Sequence, residues 1–214
     1  MSSNLPYLWI VAGPNGAGKT TLAQIPRIAA KLASAERLNP DDLSKVLLQQ
    51  RGGFTFQTAS AEMLQATFIE AAESVFQEAQ IALTNNRSIC LETVLSTPKY
   101  RSLVELTLNR GGFFGFFYIA VKSPEISAIR IANRVAEGGH GVPTDKLAAR
   151  WERSLAQLPW FVKRAHYMLA YDNSAEVKGT PPELIAIKNA SGLQIKRPDL
   201  IPELTHALQQ SLSS

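Results

Sequence analysis

Nine consecutive residues, Gly13-Pro14-Asn15-Gly16-Ala17-Gly18-Lys19-Thr20-Thr21, satisfy the pattern G-x-x-x-x-G-K-[ST] without a mismatch. Glycines at this spacing let backbone N–H groups turn inward around phosphate oxygens, and a helix starting behind them adds its partial positive charge. A lysine placed as Lys19 is reaches the β- and γ-phosphates, and a hydroxyl placed as Thr20 ligates Mg²⁺. The implied ligand is a nucleoside triphosphate, ATP or GTP, with Mg²⁺, and all nine residues are candidate nucleotide contacts. The local context agrees. Leu8-Trp9-Ile10-Val11-Ala12 reads as a buried strand running into the loop, and Thr21-Leu22-Ala23-Gln24 can open a helix behind it.

In an open α/β sheet, ligands lie beyond the carboxyl ends of the strands, so polar residues directly after apolar runs are the next candidates. In Asn39-Pro40-Asp41-Asp42, a carboxylate near the γ-phosphate is suited to take a proton from an attacking hydroxyl, although Asn and Asp also serve as plain helix caps. Glu92 closes the apolar run Ile89-Cys90-Leu91, where an acid can hold Mg²⁺-bound water or a substrate hydroxyl. Thr93, Ser96 and Thr97 follow it, as substrate contacts or as caps of the next helix. Between Ile126 and Ser154, Arg130, Arg134, His140, Arg150 and Arg153 bracket the loop Gly138-Gly139-His140-Gly141-Val142-Pro143. Arginines on a mobile flap can close over a triphosphate and neutralise the charge that develops in transfer, while solvated helix faces carry such residues as well.

The elements that must position these residues alternate along the chain. A helix behind the phosphate loop runs to about Ile25, where Pro26 stops or kinks it. A short strand end at Arg37-Leu38 enters a helix capped near Asp41. Leu64, Phe68, Ala71, Val75, Ala79 and Ala82 recur at helical spacing within a long amphipathic helix from Ala59 to Leu83, ended by Asn85-Asn86. Ser88 to Glu92 is a short strand, Lys99 to Arg110 a helix, and Phe113 to Val121 the most apolar strand. A helix from Pro124 to about Glu137, the Gly-rich loop and a long helix from Thr144 towards Ala165, with Pro159 placed to bend it, make up a flap region of about residues 124–165. A strand at Tyr167 to Tyr171, a hairpin around Ile185 to Ile195 and a helix from Pro198 complete the chain. Apolar strands separated by helices mean an α/β fold: a P-loop kinase-like three-layer sandwich, with a mostly parallel sheet and helices on both faces.

Composition sets the outer bounds. The 214 residues, 45% hydrophobic and 19% charged, suit one soluble domain over residues 1–214, with a C-terminal hairpin and helix at about 183–214. No apolar run approaches a membrane span and the N-terminus lacks signal-peptide features, so the expectation is a cytoplasmic protein with no membrane partner. The net charge of +4 fits anionic ligands, but its basic residues are scattered without an aromatic–basic ladder, so no nucleic-acid partner is expected. The single cysteine, Cys90, lies in an apolar strand and reads as core filler.

Taken together, the phosphate loop, Asn39-Pro40-Asp41, Leu91-Glu92-Thr93-Val94-Leu95-Ser96, Arg134 to Pro143, Arg153-Ser154-Leu155 and Tyr171-Asp172-Asn173-Ser174 resemble the zeta toxin family. The likeness is to its chromosomal branch, often labelled predicted ABC-type ATPases, and spans roughly residues 8 to 190. It implies a P-loop kinase that moves the γ-phosphate of ATP or GTP to a sugar hydroxyl of a nucleotide-sugar such as UDP-N-acetylglucosamine, and a possible antitoxin partner. By the same resemblance, Lys19 and Thr20 hold phosphate and Mg²⁺, Asp41 is the base, Glu92 touches the substrate with Thr93 and Ser96 beside it, and Arg134 clamps the phosphates. The second flap cation corresponds to His140 by loop position or to Arg150 on the next helix. Val94 stands where relatives carry a second threonine, which removes one hydroxyl from the acceptor side. The ABC label does not fit, since no Leu-Ser-Gly-Gly-Gln signature follows the loop. From the residues themselves, two other readings stay open: another nucleotide or dinucleotide kinase, and a nucleotide-dependent switch without catalysis.

Overall fold

The computed structural model describes residues 5–139, 141–175, 177 and 179–212. In chain order these form β1 (Tyr7–Ala12), α1 (Lys19–Ala23), α2 (Pro26–Leu32), β2 (Glu36–Leu38), α3 (Pro40–Gln50), α4 (Ala61–Thr84), β3 (Ile89–Thr93), α5 (Arg101–Asn109), β4 (Phe113–Ala120), α6 (Pro124–Ala136), a 3₁₀ turn (Thr144–Lys146), α7 (Leu147–Arg164), β5 (Tyr167–Asp172), β6 (Glu183–Asn189), β7 (Gly192–Ile195) and α8 (Pro202–Gln210). The strands make one seven-stranded sheet in the order β2-β3-β1-β4-β5-β6-β7. The first five are parallel, and the β6–β7 hairpin adds antiparallel pairs at the β5 side.

Alternation within each strand divides the core between two faces. Leu8, Ile10, Ile89, Leu91, Phe114 and Phe116 point to one face and pack under α4, α5, α7 and α8. Trp9, Val11, Cys90, Phe117 and Ile119 point to the other, which is covered by Leu22 and Ala23 of α1 and by Ile28 and Leu32 of α2. The three-layer α/β arrangement is as expected, and burial pushes the Cys90 thiol up to about 12, in keeping with a packing role.

Several boundaries differ from the sequence expectation for identifiable reasons. Pro26 does not merely end a helix; it occupies the first turn of a second one, where its missing N–H has no helical partner to lose. The cap of α3 is Asn39, whose Oδ1 accepts the Asp41 N–H at 2.9 Å, with Pro40 next in line, so Asp41 belongs to the first turn and is not the cap. α4 starts behind Ser60, which accepts the Met63 N–H at 3.2 Å, and ends at Asn85 with Asn86 in the left-handed region at φ 57°. Thr93 extends β3 beyond Glu92, placing the acid inside the ladder opposite Val11. The C-terminal helix begins at Pro202, later than Pro198.

Candidate functional site

The phosphate loop leaves β1 and is braced from both sides. Gly18, the residue before α1, has φ 96°, a conformation costly for any residue with a Cβ, and a Cβ there would lie 2.5 Å from the side-chain nitrogen of Asn173. Asn173, just past β5, donates from Nδ2 to the Ala17 carbonyl at 2.8 Å. Gly16, at φ 72°, lies against Ser127 in the opening turns of α6, where a Cβ would stand 2.9 Å from the Ser127 carbonyl oxygen. The loop is therefore packed between the ends of β4 and β5, and the glycines are set by contact as well as by turn geometry.

Lys19 sits half-buried at the centre. Its ammonium donates to the Gly13 and Pro14 carbonyls of its own loop at 3.0 and 3.1 Å. Burial pulls its pKa below the usual lysine range; the carboxylates of Glu92 and Asp41 oppose this, and the positive charge of Arg134 adds to it. Lys19 is thus within electrostatic reach of three of the charged groups singled out from the sequence, Glu92, Asp41 and Arg134. Thr20 Oγ1 donates to the two Glu92 oxygens at 3.3 and 3.4 Å, and Asn39 Nδ2 donates to Glu92 Oε2 at 3.4 Å. Asn39 therefore caps α3 and steadies Glu92 with one side chain, bringing Asp41 to the same cleft.

The Thr20 hydroxyl beside a carboxylate is an oxygen donor pair suited to a hard cation. Among the described residues no group of three His, Cys, Asp or Glu side chains gathers to hold a metal. Mg²⁺ at this place would draw its other ligands from phosphate oxygens and water, as Mg²⁺ in nucleotide sites does.

A cleft of about 810 Å³ opens over the loop, and Lys19, Thr20, Asp41, Glu92, Thr93 and Ser96 line it together with Arg134 and Arg150. Thr93 also accepts the Leu95 N–H at 3.0 Å, which fixes Leu95 at φ 59° and turns the following residues along the cleft wall. Of the cations in the flap region, Arg134 and Arg150 face the cleft. Arg130 instead donates to the Ala175 carbonyl at 3.0 Å, and Arg153 is exposed and lines no part of the cleft. His140 lies outside the described residues. Arg150 owes its position to its neighbour Trp151, whose Nε1 donates to the Val121 carbonyl at 3.0 Å, and to the Ser154–Tyr118 hydroxyl pair at 2.9 Å that pins α7 to β4. Two aromatic rings not expected at the site, Phe56 and Phe68, also line the cleft, stacked with centroids 5.7 Å apart. The helical period assigned Phe68 to the core stripe, but the N-terminal part of α4 overhangs the cleft and leaves that ring partly exposed.

Glu92 gives this geometry a measurable consequence. Burial pushes its carboxyl above the ordinary 4.5; Asp41 adds to the rise, while Lys19, the Thr20 hydroxyl and Arg37 oppose it. Between 4.5 and the raised value the native protein holds a proton that the unfolded chain has released. Glu92 therefore contributes stability that is complete below the unfolded value and is lost as pH rises through the folded one. Glu92→Gln cannot titrate. Without nucleotide it is expected to melt above wild type near pH ~7.5, the gap closing towards pH ~4. Thermal melts that coincide at both pH values would overturn this assignment.

Fold and site together define a P-loop nucleotide-binding α/β protein. The chain belongs to the AAA-domain family AAA_33, whose model matches residues 8–159. No curated protein sequence matches it. Among solved structures, a chain of the AvrRxo1-ORF1:-ORF2 complex with ATP is similar at a TM-score of 0.74 and 17% identity, over 94% of this chain and 64% of that one. A chain from the PezAT chromosomal toxin–antitoxin system of the human pathogen Streptococcus pneumoniae is similar at a TM-score of 0.60 and 13% identity, over 100% of this chain and 89% of that one. At these identities the likeness is one of fold. Among the described residues no helix is long and apolar enough to cross a membrane.

Proposed function

We propose that the protein is a kinase of the zeta toxin type that transfers the γ-phosphoryl group of ATP to a hydroxyl of a nucleotide-sugar, such as UDP-N-acetylglucosamine, or of a related nucleotide. The observation that carries this reading is the convergence of Lys19, the Thr20–Glu92 pair, Asp41, Arg134 and Arg150 on one cleft. A protein that only binds nucleotide requires the lysine and the hydroxyl. It does not require a further carboxylate and two guanidinium groups in the same cleft.

In this reading Lys19 and the loop amides hold the phosphates, and Asp41 accepts the proton of the attacking hydroxyl. Arg134, with Arg150, meets charge that grows on the transferring group. Thr20, with Glu92 steadying a bound water, would hold Mg²⁺, which would supply positive charge to neutralise the phosphates. Phe56 and Phe68 offer ring faces against which a planar base stacks, and Arg37 on the same cleft suits an anionic acceptor. ATP as donor is supported by the ATP named in the AvrRxo1 complex, and a protein partner by the toxin–antitoxin system to which the second similar chain belongs.

The decisive experiment is mass spectrometry of a reaction containing ATP, Mg²⁺ and a pool of nucleotide-sugars and nucleotides. The expected result is the mass of one phosphoryl group added to one compound. Formation of ADP and free phosphate with no compound gaining mass would overturn the kinase reading in favour of a nucleotide-driven switch.

Arg134 tests the same model from the flap side. Arg134→Ala is expected to lower turnover about 30-fold while weakening nucleotide binding much less, because its contact strengthens in the transition state. Arg134→Lys should recover only part of the loss, since an ammonium cannot make the paired contacts of a guanidinium. Equal losses in binding and turnover would point to simple ground-state attraction.

A further inference from the structure

Gln57, in the connection between α3 and α4, reaches across the mouth of the cleft. Its side-chain amide donates to the Gly138 carbonyl and, at 3.2 Å, to the Gly139 carbonyl, a contact spanning 81 residues of sequence. Those two carbonyls belong to the turn that closes α6. There the Gly138 N–H is held by the Val135 carbonyl at 3.0 Å and the Gly139 N–H by the Arg134 carbonyl at 2.8 Å. Gly139 is packed so closely that a Cβ on it would stand 2.5 Å from Arg134 Cγ. Whatever holds Gly138 and Gly139 therefore holds the base of the Arg134 side chain.

The other side of the contact is equally specific. Gln57 follows Phe56, which lines the cleft in a stack with Phe68, so the segment that grips the flap is also the wall against which the acceptor would rest. We infer that Gln57 is a positioning residue: it ties the acceptor-side loop to the end of α6 and so sets Arg134 over the phosphates. The inference rests on the kinase reading for its catalytic consequence, but not for the contact itself. A primary amide fits the task because its two N–H groups can serve two carbonyls at once.

The test compares Gln57→Ala and Gln57→Glu with wild type, Arg134→Ala and the Gln57→Ala/Arg134→Ala double variant. Gln57 is exposed, so both single variants are expected to fold with unchanged melting temperature. Gln57→Glu keeps the shape but has no N–H to donate. Expected are a fall in kcat of about 5-fold for each, with KM for ATP little changed, and no further loss when Gln57→Ala is added to Arg134→Ala. Hydrogen exchange at the Gly138 and Gly139 amides should speed up in both single variants. Unchanged exchange at those amides, or losses that multiply in the double variant, would overturn the proposal. If wild type phosphorylates no acceptor, the kinase reading falls, and the exchange comparison still decides whether Gln57 holds the flap.

Discussion

Lys19→Ala is expected to abolish phosphoryl transfer, lowering turnover by about 10³-fold or more, while the protein stays folded. The half-buried ammonium bonds to carbonyls of its own loop and feels the charges of Glu92 and Asp41, so it is already partly desolvated at the phosphate loop. A charge fixed in such a place interacts with developing negative charge far more strongly than one in water, and no reorganisation is needed when the reaction occurs. Structural damage should be small. Glu92, whose carboxyl burial already pushes up, can take a proton once its cation is gone and need not remain an isolated buried charge. The measurement is the mass-spectrometric transfer assay on variant protein with a wild-type circular dichroism spectrum. Near wild-type activity would mean that the phosphate loop is not the active site.

Asp41→Asn should reduce turnover by about 10²-fold or more with nucleotide affinity little altered, because it keeps the shape of the side chain and removes only the proton acceptor. Both Asp41 and Asp42 line the cleft, but their electrostatic surroundings differ. Asp41 is felt by both Lys19 and Glu92, whereas Asp42 pairs with Lys45 at 3.4 Å on an exposed stretch of α3. Asp42→Asn is therefore expected to be mild, and it leaves Asp41 to favour the helix N-terminus. Steady-state kinetics of the two variants, with nucleotide affinity from calorimetry, give the ranking. The reverse order would mean that the wrong carboxylate has been assigned as base.

Much of this site can be read from the chain because parallel strands deliver their carboxyl ends to one edge of a sheet. Gly13 to Thr21 and Glu92 follow or close apolar runs that the β1–β3 ladder sets side by side, and the β2–β3 ladder brings Asn39 to Asp41, which follow the short, largely exposed β2, to the same edge. The flap was harder. Which of Arg130, Arg134, Arg150 and Arg153 faces the cleft depends on how α6 and α7 rotate against β4, and that is fixed by side-chain contacts such as Trp151 to Val121 that carry no local pattern. Gln57 was illegible as a site residue, and Asn173, though part of the Tyr171–Ser174 stretch that carries the family resemblance, gave no sign of its contact with the loop. Each acts through an amide aimed at a backbone carbonyl, 156 residues away for Asn173 and 81 for Gln57, and such pairs have neither spacing nor composition to announce them. Phe68 shows the converse error: its helical period is correct, but periodicity cannot tell where a long helix overhangs the sheet.

The contact between Gly16 and Ser127 has a mechanical consequence. Ser127 and Arg134 ride on the same helix, about 10 Å apart at 1.5 Å of rise per residue. A stiff rod that touches the phosphate loop near one end and carries a guanidinium near the other is a lever with its fulcrum at the loop. If the proposed flap closes, this contact would confine the movement to a tilt of the rod about the loop, with Arg134 kept at a nearly fixed distance from that point. Bulk added at Gly16 would shift the fulcrum, disturbing loop and arginine in a single step.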